Sequence, residues 1–91
     1  MKMIRDDSGE RDGWWLGDRF HAAPKVGQVW ERGGAFYLIA QVSKTGLTLE
    51  IRRCARDGSG CSMYGIDMRT RTLFEQFAIP PHRQVHGQEA K

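Results

Sequence analysis

The stretch FYLIAQVSKTGLTLEIRR, residues 36–53, alternates on both sides of a polar turn. Phe36, Leu38, Ala40 and Val42 are apolar at every second position before SKTG, and Leu47, Leu49 and Ile51 repeat the pattern after it. Period-two alternation marks a half-buried strand, so the spacing predicts a hairpin. Pairing Val42 with Leu47 across the four-residue loop sets Ala40 opposite Leu49 and Leu38 opposite Ile51. All six then share one face, and a slip of one residue would turn a whole strand's apolar set outward.

The same logic extends to both sides. A second hairpin folds about ARDGSG, residues 55–60; with Cys54 facing Cys61, Ile51 meets Tyr64, Leu49 meets Ile66 and Leu47 meets Met68. Upstream, RGGA at 32–35 carries a Gly-Gly centre suited to a two-residue hairpin loop and joins GQVWER to the first strand. The expectation is a four-stranded antiparallel meander at roughly 28–32, 35–43, 47–54 and 61–69, followed by one short helical turn in TLFEQFAIP. There Leu73, Phe74 and Phe77 would close one end of the core. Residues 1–13 are polar, punctuated by glycine and mixed in charge, and are expected to form a flexible arm. Residues 14–79 hold the domain, and residues 80–91, PPHRQVHGQEAK, lack apolar periodicity and are expected to be a disordered tail.

Ninety-one residues bound the chain to one small domain with one modest core, which excludes a cofactor domain joined to a catalytic one. The net charge of +3 permits an acidic partner without demanding one. Of the 14 basic residues 10 are Arg, the side chain favoured for bidentate contacts to phosphate or carboxylate. The longest apolar stretch, AFYLIA at 35–40, is far too short to cross a bilayer, and the first twenty residues lack a signal-peptide hydrophobic segment. A cytoplasmic protein with reduced thiols and no membrane partner is the expectation.

Short, tightly connected strands followed by a single helical turn suggest a small barrel. The run KVGQVWERGGAFYLIAQV, the strand TGLTLEIRR, the segment MYGIDM and the closing LFEQF resemble SH3-like small-barrel proteins, many of them encoded by phages or other mobile elements. The resemblance covers about two thirds of the chain and implies an all-β fold, mainly a small SH3-like antiparallel barrel of four to five strands. WWLGDRFHAAP, residues 14–24, departs from that pattern and would add an edge strand or a lid.

Four chemistries compete for the function. Cys54 and Cys61, as an opposed cross-strand pair on the face away from the apolar one, would suit a disulfide, a thiol pair, or with His82 and His86 a zinc site. The C-x6-C spacing is wider than a zinc knuckle uses, so no metal and no cofactor is assigned. Arg52, Arg53, Arg56, Arg69 and Arg71 would form a basic strip, with Trp30 and Tyr37 paired across the GG turn as stacking platforms for single-stranded nucleic acid. Alternatively, Trp30, Tyr37 and Ile39 are covered by Trp14, Trp15 and Phe20, while Glu50, Asp57 and Asp67 neutralise part of the strip. The G-Q-V-W opening also resembles toxin endoribonucleases of the PemK and MazF type, which would cast Arg32 and His21 in acid–base roles, but the tight RGGA turn has no room for the loop such enzymes place over substrate. Finally, Trp14 and Trp15 are anchors of the kind that dominate protein interfaces, and an exposed strand edge suits a homodimer. The sequence reading is a non-catalytic binding module, regulating or inhibiting a protein or nucleoprotein partner, with single-stranded nucleic-acid binding as the alternative.

Overall fold

The computed structural model describes residues 2–9 and 11–79. The described residues form seven strands and one helix: β1 (Met3–Asp6), β2 (Gly13–Leu16), β3 (Arg19–Ala22), β4 (Val29–Arg32), β5 (Ala35–Val42), β6 (Thr48–Cys54), β7 (Ile66–Arg69) and α1 (Thr70–Gln76). They build two antiparallel sheets, β1-β2-β3 and β4-β5-β6-β7. The fold is all-β with one short helix near the C-terminal end, as the alternation requires. Among the described residues no ladder joins the two sheets, so the barrel expected from sequence is not closed. No helix among them is long and apolar enough to cross a membrane.

The Gly-Gly turn folds as its composition dictates. Gly33 and Gly34 take φ of 58° and 84°, both in the left-handed region that a two-residue hairpin turn needs, and Arg32↔Ala35, Glu31↔Phe36 and Trp30↔Tyr37 pair across it.

The β5–β6 hairpin differs from the expected register. Val42 pairs with Leu49, Ile39 with Ile51 and Leu38 with Arg52, and the ladder shifts between Ile39 and Gln41. Ala40 is thus the extra residue of a β-bulge, and a bulge reverses the inside–outside phase of everything before it. Tyr37 and Ile39 therefore point with Leu49 and Ile51 into the core, while Phe36 and Leu38, expected inside, lie on the opposite face beside Cys54 and Arg52. Trp30, Ile39, Leu49, Ile51, Leu73, Phe74 and Phe77 form that core, and Trp14 of the first sheet completes it. So Trp14 joins the core cluster that contains Trp30, but Trp15 and Phe20 pack elsewhere, against each other.

The second hairpin also shifts by two. Leu49 pairs with Met68 and Ile51 with Ile66, so the apolar face keeps its parity, but β7 begins at Ile66 rather than 61. Residues 55–65 form a loop instead, tied by Ala55 N–H to the Ser59 carbonyl at 2.9 Å and Ser62 N–H to the Arg53 carbonyl at 2.7 Å. A Cβ on Gly58 would stand 3.1 Å from Val29 and 3.6 Å from Leu38. The loop therefore covers the second face of the sheet, which is why Val29 is only 1% exposed there.

The first sheet was not foreseen as a sheet. Met3–Asp6, within the segment expected as an arm, pairs with β2, and β2 turns through Gly17-Asp18 into β3. Helix α1 starts where Thr70 donates its amide to the Leu47 carbonyl at 2.9 Å and its hydroxyl to the Gly46 carbonyl. It buries Leu73 and Phe74, followed by Phe77, against the second sheet. The chain then returns along β4, where Glu31 and Ala78 exchange backbone hydrogen bonds of 2.7 and 2.9 Å. The tail 80–91, with His82 and His86, lies outside the described residues.

Candidate nucleic-acid interface

The expected arginine strip divides into three settings. Arg52, on the face away from the core, donates to Glu50 at 3.0 Å, and Arg71 donates to Glu75 at 3.0 Å one helical turn on. Arg69 sits opposite Thr48, beside a small cleft of about 280 Å³ that it shares with Arg71, Met3 and Leu47. Arg53 lies five residues further along β6 than Thr48, which at about 3.3 Å per residue is roughly 17 Å away. No single strip connects all five.

Three guanidiniums lie at one end of the second sheet, Arg32 and Arg53 on its core-side face and Arg56 on the other, and one of them was not among the five. Arg32, Arg53 and Arg56 occupy the end of the second sheet beside the β4–β5 turn, and each lies over a ring: Arg32 over Phe77 at 5.6 Å, Arg53 over Tyr37 at 6.0 Å, Arg56 over Phe36 at 5.3 Å. Tyr37 meets Phe77 edge to face, with centroids 5.3 Å apart. All three arginines are exposed. Among the described residues no carboxylate comes within 4.0 Å of any of them, since the ion pairs there involve Arg5, Arg52 and Arg71. Register explains the grouping: Trp30, Tyr37 and Arg53 form one row across the strands, Arg32 is two residues beyond Trp30, and Arg56 leaves the other face just past Cys54. The bulge at Ala40 decides this placement, because without it Tyr37 would lie on the opposite face from Ile51 and Arg53.

The aromatic partners differ in what they offer. Trp30, nominated as a stacking platform, is 7% exposed, donates its indole N–H to Gln28 at 3.2 Å and leans on Phe74, so its faces are consumed by the core. Tyr37 and Phe36 are half-buried at the surface end. Trp14, nominated as a partner anchor, is 5% exposed within the core, and Trp15 is half-buried, bound to Asp6 at 2.9 Å and set edge-on to Phe20.

The remaining candidates separate. His21 stacks on Phe74 with centroids 4.4 Å apart, and burial, aided by Arg19, holds its imidazole below the usual range, so it is neutral at pH 7. Arg32 covers Phe77 from β4, so the two groups required for an endoribonuclease-like step stand on different sheets over different rings. Cys54 and Cys61 are free thiols rather than an opposed ladder pair: Cys54 is buried opposite Phe36, whereas Cys61 is exposed and donates to the Gly58 carbonyl at 3.2 Å. Burial, then the neighbouring Cys61, raises the Cys54 thiol above its ordinary value. Among the described residues no group of three or more His, Cys, Asp or Glu side chains could hold a metal.

One further surface was missed. Met63 and Tyr64 are 77% and 78% exposed, and Ile66 48%, beside the outer edge of β7, which has no neighbouring strand among the described residues. The sequence reading placed Tyr64 and Ile66 inside a strand pair, which hid them. Comparison of the chain with protein-family models, curated proteins and solved structures returned no match.

Proposed function

We propose that the protein is a non-catalytic binding module that regulates or inhibits a nucleic-acid or nucleoprotein partner, and that it grips a single strand at the Arg32, Arg53 and Arg56 end of the second sheet. The observation that carries this reading is the set of three exposed guanidiniums with no carboxylate within 4.0 Å among the described residues, each poised over an aromatic ring. Guanidiniums are weakly hydrated and match phosphate bidentately, and parking them on rings holds them extended toward solvent without neutralising them. Tyr37 adds a ring edge on which a base can pack. The likeness to SH3-like small barrels from mobile elements agrees with a small binder.

The test is fluorescence anisotropy of labelled single-stranded RNA, single-stranded DNA and duplex DNA across a salt series. Binding is expected to weaken steeply with salt, and Arg32→Gln, Arg53→Gln and Arg56→Gln are each expected to reduce the log–log slope by about 0.7 to 1. Arg52→Gln and Arg71→Gln, which remove cations already paired with Glu50 and Glu75, should leave the slope nearly unchanged. Absence of binding at low salt, or equal losses for paired and unpaired arginines, would defeat the reading.

A protein partner is the second reading, and the open β7 edge flanked by Met63, Tyr64 and Ile66 favours it. A second copy can pair there antiparallel about Met68, which would set Asp67 opposite Arg69 twice, charge against charge. Sedimentation velocity is expected to show concentration-dependent dimers that Asp67→Pro removes by deleting an amide that faces away from β6; a monomer at every concentration rules out self-pairing.

A further inference from the structure

We propose that the cleft between the first sheet and the β5–β6 turn is a binding site for a phosphate-class oxyanion, built around the indole N–H of Trp14. This site is separate from the arginine end and does not depend on it.

The three tryptophans supply the first observation. Trp15 donates its indole N–H to Asp6 and Trp30 donates to Gln28, but the Nε1 of Trp14 has no hydrogen-bond partner among the described residues although its side chain is 5% exposed. Tryptophan can only donate, and a buried donor left without an acceptor costs about 1–3 kcal/mol, so the position calls for one.

The second observation is what the indole faces. A Cβ on Gly46 would stand 3.3 Å from Cζ2 and 3.8 Å from Nε1 of Trp14, and 3.7 Å from Nη1 of Arg5. The glycine thus keeps clear a spot on which an indole edge and a guanidinium arm converge. Arg5 lies over the Trp14 ring at 5.0 Å, and its other nitrogens are taken: Nε by Asp7 at 2.7 Å and Nη2 by Asp12 at 2.5 Å. Nη1 is the arm left toward Gly46.

The third is the rim. The cleft measures about 210 Å³ and is lined also by Lys25 and Lys44, neither of which has a carboxylate within 4.0 Å among the described residues. The hydroxyls of Ser43 and Thr45 lie on the same turn, 3.3 Å from each other. Asp12 is the one carboxylate in the lining, and it is bound to Arg5. Donors therefore approach from the indole, the guanidinium, two ammonium groups and one turn hydroxyl, the proton of the other being used in the Ser43–Thr45 bond. A tetrahedral oxyanion presents acceptor oxygens in that many directions, whereas a planar carboxylate presents two in one plane.

Two-dimensional ¹H–¹⁵N spectra of the full chain test the site, because the three indole N–H groups report separately. Sodium phosphate is titrated at constant ionic strength against chloride. The Trp14 indole resonance is expected to shift saturably while those of Trp15 and Trp30 stay in place, and Lys44→Gln and Lys25→Gln are each expected to weaken the response several-fold. Gly46→Ala should abolish it by filling the spot, but Gly46 has φ of 75° and that variant risks misfolding, so the lysine variants carry the decision. Comparing a 5′-phosphorylated oligonucleotide with its 5′-hydroxyl form separates the sources: a stronger Trp14 shift with the phosphorylated strand assigns the anion to a nucleic-acid end, and a shift with inorganic phosphate only assigns it to the free ion. An unmoved Trp14 resonance, a shift reproduced by chloride, or an undiminished shift in both lysine variants overturns the proposal. Arg53→Gln should leave the Trp14 response intact, so failure of the strand-binding site and failure of this one are read independently.

Discussion

Ile39, Leu49 and Ile51 of the second sheet are at most 4% exposed and pack under α1, whereas in the first sheet Trp14, 5% exposed, is the one large side chain that is buried. The rest of the first sheet is fastened at its surface: Arg5 to Asp7 and Asp12, Arg11 over Trp15 and Phe20 at 4.7 and 4.6 Å, and Trp15 to Asp6. Burial is cooperative and strong, while exposed ion pairs contribute about 0–1 kcal/mol each. One sheet is a core with strands around it, and the other is a surface layer held by Trp14, by the His21–Phe74 stack and by the partly buried Met3 and Leu16. That difference bears on the two candidate sites, since the arginine end belongs to the second sheet alone and the Trp14 cleft needs both.

The largest expected effect comes from Trp14→Ala, at about 3–5 kcal/mol. Its signature is uneven: amide hydrogen exchange should accelerate throughout β1–β3 while the central amides of β5 and β6 keep most of their protection. Ile51→Ala, at about 2–5 kcal/mol, should instead lower protection in all seven strands and shift the denaturant midpoint of the whole chain. Equal acceleration in both sheets on Trp14→Ala would show that the two unfold as one unit and would break the comparison.

The same contrast explains what was legible. The second sheet announced itself through alternation in residues 36–53 and through Gly33-Gly34, and its strand order, its helix and the inward Leu49, Ile51 and Met68 follow from those signals. Its register did not follow, because a bulge at Ala40 leaves no mark in an alternating pattern: Leu38 and Ile39 are equally apolar, and only the loop over Val29 and Leu38 makes burial of both possible. The loop was hidden for a related reason, since assuming Cys54 opposite Cys61 imposed a tight hairpin on residues that cross the sheet's face. The first sheet has strands of four residues, too short for a period to emerge. Its available cue was Gly17-Asp18 between Trp-Trp-Leu and Arg-Phe-His, a two-residue turn flanked by aromatic positions. As for the candidate site, Arg53, Arg56 and Tyr37 were legible, but Arg32 entered only through the catalytic reading. Its place beside Phe77 depends on α1 folding back along β4, a long-range contact that local pattern cannot carry.

The smallest effect sharpens the account of the first sheet through its dependence on acid. Asp6 accepts the Trp15 indole N–H at 2.9 Å and the Ser8 amide at 3.1 Å, and these bonds, the indole first, hold its carboxyl below the usual 3.8. A carboxyl depressed in the folded state binds fewer protons than in the unfolded chain, so it stabilises the fold above the ordinary aspartate range and loses that contribution as pH falls through its folded value. Trp15→Phe keeps an aromatic ring for Phe20 and Arg11 but removes the donor. Melting curves measured from neutral pH down to the acid limb should therefore show a modest loss at neutral pH and a shallower decline below about pH 4 than the parent chain shows. Because Asp6 is the last residue of β1 and Trp15 sits in β2, the flattened acid limb should be strongest in probes of the first sheet, and an acid limb unchanged by Trp15→Phe would mean that this bond does not hold β1 in place.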